Sequence, residues 1–149
     1  MKTLFESGVS TAMIDRIEKI SPQSPRQWGK MGVAQMLAHC GNGLEMAMCT
    51  INPKRVFIGR LIGPLFRSKY IDDKPFDRES PTSEEIKVTD QRDFNAEKNR
   101  LILLVKKFSE GGEAIAKQPT HPFFGKMAPH EWGIGMYKHL DHHLRQFGA

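Results

Sequence analysis

Apolar residues recur at the spacing of one helix face in four stretches of the chain. These stretches are residues 10–20, 32–50, 93–110 and 129–147. Ser10 and Asp93 are the predicted N-caps of the first and third helices, and Pro129 stands at the favoured first position of the fourth. No stretch alternates strictly between apolar and polar residues, as a half-buried strand does. The pattern therefore predicts an all-α fold, and the length of 149 residues predicts one domain over residues 1–149.

The connection between the second and third helices is unusually long. It spans about 40 residues, whereas helix–helix connections in bundles usually have about 2–8. Its first part, residues 56–70, is apolar with interspersed basic residues, and Gly63-Pro64 is expected to interrupt any helix there. Its second part, residues 71–88, is typical of a loop and includes the run Ser-Pro-Thr-Ser at 80–83. Such a length indicates a crossover, with the third helix parallel to the second or displaced from it.

Composition and charge narrow the class of protein. The chain is 39% hydrophobic and 26% charged, which is typical of a globular domain. The longest aliphatic run, residues 101–105, is far shorter than the roughly 20 residues of a membrane span, and the N-terminus lacks the apolar core of a signal peptide. We therefore expect a cytoplasmic protein. Cys40 and Cys49 are nine residues apart on one predicted helix, too far for a disulfide, so both are expected to be free thiols.

Four of the six histidines lie in the fourth predicted helix, and three of them cluster at residues 139–143. A helical wheel places His139 and His143, four residues apart, on its inward face, where their imidazoles can converge on one ion. Imidazole suits Zn, Ni, Cu and Fe, although such a pair can also simply face a groove or cap other groups. His142 falls on the polar side and is predicted to be a surface residue. A metalloprotease HExxH motif is disfavoured, because Leu140 occupies the Glu position and Asp141 projects to the other side.

The third ligand is expected from another helix, and His39 is the other histidine inside a predicted helix body. It lies at the edge of the apolar arc of the second helix, and Gly43 is expected to leave space beside its ring. Alternatively, Gly41 and Gly43 merely allow close helix contact. His121 lies in a loop and is a weaker candidate for a ligand or substrate contact. His130, in the first turn of the fourth helix, is predicted to be neutral and solvated.

Several motifs, which together cover nearly the whole chain, resemble an uncharacterised branch of the DinB/YfiT-like superfamily. They are QWGKM at 27–31, AQMLAHC at 34–40, HPFFG at 121–125, EWG at 131–133 and MYKHLDHHLRQF at 136–147. The resemblance implies a DinB-like four-helix bundle with a long crossover between helices 2 and 3. It also implies a divalent-metal site made of one histidine on helix 2 and an HxxxH pair on the last helix, which here are His39, His139 and His143. Relatives carry Thr or Ser before the proline of the last helix; Ala128 lacks that cap.

The function implied by the resemblance is a metal-dependent one. Better-known relatives are transferases and isomerases that use low-molecular-weight thiols such as mycothiol or bacillithiol. We therefore expect a divalent ion, Zn²⁺ or Ni²⁺, with a thiol cofactor as an option, and a transferase, isomerase or hydrolase reaction on a small molecule. No general acid or base is identifiable from the sequence, so the catalytic residues stay unassigned.

A non-catalytic binding module or a vestigial bundle is the alternative. The segment 52–70 carries five basic residues and no acid, which permits weak contact with nucleic acid or a membrane surface. Acidic residues follow at once, however, and no nucleic-acid motif is present. We therefore expect neither nucleic acid nor a membrane as partner, and predict that the apolar residues of 56–66 are covered in a homodimer.

Overall fold

The computed structural model describes residues 1–78, 82 and 84–149. Within them the chain forms five α-helices: α1 (Ser7–Lys19), α2 (Val33–Ala47), α3 (Phe57–Tyr70), α4 (Phe94–Gly111) and α5 (Pro129–Gln146). Short 3₁₀ turns lie at Glu84–Ile86 and Gly112–Ile115, and the two-residue strands β1 (Thr120–His121) and β2 (Gly125–Lys126) pair antiparallel. The predicted all-α class is confirmed. Of the predicted loop, Glu79, Ser80, Pro81 and Ser83 lie outside the described residues.

The four predicted helices correspond to α1, α2, α4 and α5, with corrections at the start of α1 and at the end of α2, which stops at Ala47 rather than at residue 50. α1 begins at Ser7, so the prediction that Ser10 is its N-cap is wrong: the Ser10 hydroxyl instead donates to the Ser7 carbonyl at 3.0 Å. Asp93 is the N-cap of α4 as predicted, since its carboxylate accepts from the Ala96 amide at 2.7 Å. The start of α5 has no side-chain cap from Ala128, as expected.

One hydrophobic core lies among these four helices. α2 packs on α4 and α5, and α1 packs on the same two helices. The largest side chains that are almost fully buried come from every one of them: Ile17, Met36, Leu37, Leu44, Leu101, Phe108, Trp132, Leu140 and Leu144. Burying each such side chain contributes about 1.5–3 kcal/mol, so this packing holds α2 and α5 at a fixed separation.

The expectation that Gly63-Pro64 interrupts any helix in residues 56–70 is wrong, because α3 runs through both residues. Pro64 lies inside α3, where it lacks the N–H that would bond to the Arg60 carbonyl. Gly59 and Gly63 compensate, because they let α3 lie directly on the backbone of Phe123, which a Cβ at either position would overlap. Tertiary packing thus overrides the local preference of the sequence.

The outward side of α3 is apolar and exposed. Six of the large hydrophobic residues that lie in solvent belong to α3 or directly precede it: Val56, Phe57, Ile58, Leu61, Leu65 and Phe66. α3 has 14 residues, and no helix among the described residues is long and apolar enough to cross a membrane. Below, these six residues are called the α3 face.

Candidate metal centre

The side chains of His39, His139 and His143 come together where α2 packs on α5. One nitrogen from each ring lies within 4.8 Å of those of the other two. The Nε2 atoms of His39 and His139 are 2.8 Å apart, and the ring centroids of the three pairs are separated by 4.7, 4.7 and 4.8 Å. The structure therefore gathers the three histidines proposed as ligands into one cluster, here called the His triad.

Helical phase and one glycine position the rings. His139 and His143 lie one turn apart on α5, while His39 lies in the middle of α2 and is 2% exposed. Gly43 makes room for the ring of His139 rather than that of His39, because a Cβ at this position would lie 2.9 Å from both Cε1 and Nδ1 of His139. The sequence-based expectation was thus right about the need for space and wrong about the ring. Gly41 serves helix contact, since its Cβ would meet Arg100 of α4.

Two of the three rings are held by hydrogen bonds at Nδ1. The Nδ1 of His39 lies 2.8 Å from the carbonyl oxygen of Ile86, which can only accept, so Nδ1 carries the proton. The Nδ1 of His143 lies 2.9 Å from the amide oxygen of Gln146, whose amide nitrogen donates to the Trp28 carbonyl at 2.8 Å. Each bond leaves an Nε2 lone pair on the ring. Metal-binding histidines are oriented by such partners in the same way.

Burial keeps the triad neutral. It is the main cause that lowers the pKa of His39 and that lowers the pKa of His143 to about 3. For His139 burial acts together with the charges that its two partners would carry, and its pKa falls well below the usual value. Within the described part of the chain the cluster contains three imidazoles and no carboxylate. At neutral pH it therefore presents uncharged nitrogen donors, the form that metal ions bind.

The donor set fits a small divalent ion. Nitrogen atoms around a tetrahedral Zn²⁺ with Zn–N bonds of about 2.0–2.1 Å lie about 3.3 Å apart. This separation falls between the 2.8 Å that joins the Nε2 atoms of His39 and His139 and the 4.8 Å limit of the cluster. Three protein ligands leave further positions open, which is the arrangement of catalytic rather than structural zinc sites.

His142 corrects a prediction. It was expected at the surface but is 6% exposed, because residues before α2 and after α3 cover this side of α5. Its ring packs against Trp28 and Phe76, with centroids 5.5 and 6.2 Å away. Its Nδ1 has no hydrogen-bond partner among the described residues, and it does not belong to the His triad. Asp141 projects away as predicted and pairs with Arg16 at 2.8 Å.

The remaining histidines lie outside the triad. The Nδ1 of His121 accepts hydrogen bonds from the amides of Phe123 and Phe124 at 3.1 and 3.3 Å, which closes the turn between β1 and β2. Burial lowers the pKa of His121 to about 3, so this acceptor stays unprotonated. His130 is exposed, as predicted.

Sequence reasoning missed the groups that orient the triad. Gln146 lies three residues after His143, and such pairs are neighbours on a helix, so this spacing could have drawn attention to it. Ile86 and Trp28 contribute backbone carbonyls, which leave no signal in the side-chain sequence.

Comparison with known proteins places the chain in one family. A family model described as Protein of unknown function (DUF1569) matches residues 5–149, so the chain belongs to the DUF1569 family. No curated protein and no solved structure matches the chain.

Proposed function

We propose that this protein binds one divalent metal ion, Zn²⁺ or Ni²⁺, through the Nε2 atoms of His39, His139 and His143. The observation that carries the proposal is the convergence of three neutral imidazoles, of which His39 and His143 are buried and His139 is half-buried. The outer nitrogens of His39 and His143 are each held by a hydrogen-bond acceptor. The Nε2 atoms of His39 and His139 already face each other at 2.8 Å, so an ion bound there would replace a single hydrogen bond between the two rings.

The proposed architecture is a DinB-like four-helix bundle with α3 in the crossover between its second and third helices. The pairwise packing supports this, because α1 and α2 each contact both α4 and α5. In such bundles, metal sites are formed by side chains on facing helices, as the His triad would be between α2 and α5.

The proposed reaction is a metal-dependent conversion of a small molecule in the cytoplasm by a transferase, isomerase or hydrolase. When bound by three neutral imidazoles, the ion keeps its double positive charge and open positions, and supplies Lewis acidity towards water or a thiol. A thiol would come from a low-molecular-weight cofactor and not from Cys40, because that residue is 1% exposed and burial raises the pKa of its thiol. The alternative is a bundle that retains metal but has no turnover.

The metal proposal is tested by elemental analysis of untagged protein, since tag histidines bind the same metals. We expect about one Zn²⁺ or Ni²⁺ per chain after dialysis against metal-free buffer, and a rise in melting temperature on adding the metal back to chelator-treated protein. Protein that neither retains nor rebinds a divalent ion would contradict the proposal. Screening the loaded protein with thiols and electrophiles separates the enzyme from the inactive bundle.

A second copy of the chain is the proposed partner for the α3 face. The exposed fractions of Leu61 and Leu65 are 64% and 75%, and contiguous apolar patches of this kind mark interaction sites. The basic residues of 52–70 are partly engaged, since Arg67 pairs with the buried Glu131, which supports the expectation that nucleic acid is not the partner.

Light scattering tests the dimer. We expect twice the 16.9 kDa chain mass for the wild type and the single mass for Leu65→Asp. Leu103→Asp is the matched control, because Leu103 is a similarly exposed leucine on α4. A monomeric wild type would refute the dimer, and flotation of that monomer with anionic vesicles would assign the α3 face to a membrane surface instead.

A further inference from the structure

A short turn between α1 and α2, residues 27–29, is hydrogen-bonded to Gln146, the last residue of α5. The amide of Gln27 donates to the backbone carbonyl of Gln146 at 2.8 Å, and the amide side chain of Gln146 donates to the Trp28 carbonyl, also at 2.8 Å. The side chain of Gln146 is thus fixed by a segment that lies outside the packed helices, and the residue is 3% exposed.

Gly29 is what permits this close contact. Its φ is +79°, a conformation that favours glycine, and a Cβ at this position would lie 2.5 Å from the amide nitrogen of Gln146. Both the backbone conformation and the missing side chain are therefore required for the turn to reach Gln146.

The hydrogen bond to the Trp28 carbonyl determines which atom of the Gln146 side chain faces the His triad. Because its amide nitrogen donates to the Trp28 carbonyl, its oxygen faces Nδ1 of His143 at 2.9 Å and accepts the Nδ1 proton. This places the free lone pair of His143 on Nε2. A reversed amide would offer a donor to Nδ1 and favour the opposite tautomer.

We propose that Gln146 is a positioning residue of the metal centre, and that the turn at residues 27–29 belongs functionally to that centre because it holds Gln146. The inference rests on the proposed function, since it concerns how a metal ligand is oriented. It assigns a role to residues that supply none of the three proposed ligand atoms. Outer partners of this kind typically change metal affinity by about 10–100-fold.

Two substitutions at one position separate orientation from packing. Gln146→Met keeps the volume but cannot accept the Nδ1 proton, so we expect Zn²⁺ affinity to fall by about 10–100-fold and the visible spectrum of the Co²⁺ form to change. Gln146→Glu keeps an oxygen that accepts the Nδ1 proton of His143. Its second oxygen, however, replaces the amide nitrogen that donates to the Trp28 carbonyl, so that hydrogen bond is lost. We expect this substitution to lower the melting temperature but to hold Zn²⁺ within about threefold of the wild type.

The turn is tested at Gly29. Gly29→Ala should displace the Gln146 amide and weaken Zn²⁺ binding in the same direction as Gln146→Met. Gly8→Ala is the matched control, because a Cβ there meets nothing within 4 Å, and it should leave affinity unchanged.

A measurement on the metal-free chain keeps the inference independent of the metal. Nitrogen NMR of His143 should show the Nδ1–H tautomer in the wild type and in Gln146→Glu, and a mixture of tautomers in Gln146→Met. If the wild type binds no metal, the proposed function fails and this measurement still decides the orienting role. If the wild type binds Zn²⁺ and Gln146→Met binds equally well with an unchanged Co²⁺ spectrum, or Gln146→Glu is as weak as Gln146→Met, the inference alone is overturned.

Discussion

Two sides of α5 each bury a histidine but differ in what their polar groups do. On the side facing α2, His139 and His143 converge with His39, and the outer nitrogen of His143 is hydrogen-bonded. On the side covered by the loop after α3, Lys138 pairs with Asp72 at 2.7 Å and His142 packs among aromatic rings. Burial alone therefore does not identify a metal ligand. Convergence of lone pairs, together with a partner that fixes the tautomer, makes the distinction.

The adjacent residues His142 and His143 give the strongest test of this contrast. We expect His143→Ala to reduce metal affinity by more than about 100-fold, because it removes a proposed ligand rather than an outer partner. His142→Ala should lower stability through lost packing but retain about one ion per chain. Elemental analysis and a competing chelator measure both, with exposed His130→Ala as a control for the loss of a histidine. Loss of metal in His142→Ala but not in His143→Ala would refute the proposed site, because the ion would then lie on the side of α5 that faces away from the His triad.

Acid should weaken the folded state through histidines inside and outside the His triad. Burial lowers the pKa of His143 and of His121 to about 3, against 6.5 in an unfolded chain, so below pH 6.5 the unfolded state binds more protons. The free energy of unfolding of the metal-free protein should therefore decrease as the pH is lowered below 6.5, by up to about 1.4 kcal/mol per pH unit for each histidine.

His121→Asn sharpens that test. The amide oxygen of Asn can still accept from the turn amides, but it does not titrate. The variant should show a shallower loss of stability in urea denaturation between about pH 6.5 and about pH 4.5, with unchanged metal content. An unchanged slope would mean that His121 is not held neutral in the folded chain.

A smaller effect is expected at Gly43. Its added Cβ would press on the ring of His139 from 2.9 Å, so Gly43→Ala should shift that ring and lower Zn²⁺ affinity by about tenfold. Isothermal titration measures the change, and the open position Gly8 again provides the control. Wild-type affinity in Gly43→Ala would show that the His139 ring can move aside without loss.

The smallest effect is expected from the thiols. Cys40 is buried in the core with a raised pKa, and Cys49 lies at the end of α2, and neither belongs to the triad. A protein with Cys40→Ala and Cys49→Ser should bind metal in the same ratio and with the same affinity. A clear loss of metal in this variant would require a sulfur ligand and a revised site.

The helical period explains what the sequence could predict. His139 and His143 fall in phase with the buried Trp132 and Leu140, and this phase by itself predicts that both histidines face the core. Asp93 was recognisable as an N-cap because its chemistry is local.

Contacts between distant segments explain what could not be predicted. His142 and Lys138 have polar positions on the α5 wheel. Distant segments bury them: Phe76 from the loop after α3 packs on both, and Trp28 from before α2 packs on His142. α3 forms despite Pro64 because it packs on a turn some 60 residues later in the chain. None of these contacts has a local signature in the sequence.

The two glycines of α3 also limit which substitutions this chain can accept. At Gly59 and Gly63 any side chain would collide with the Phe123 backbone. Substitution of either glycine is therefore not tolerated, whether or not the protein has a partner. Leu61 and Leu65, on the opposite side of the same helix, meet no such barrier within the described residues. In relatives that have polar residues in place of the two leucines but keep both glycines, α3 would serve only to pack against its own chain. Lineages that keep all four would have inherited α3 as a surface shared between molecules.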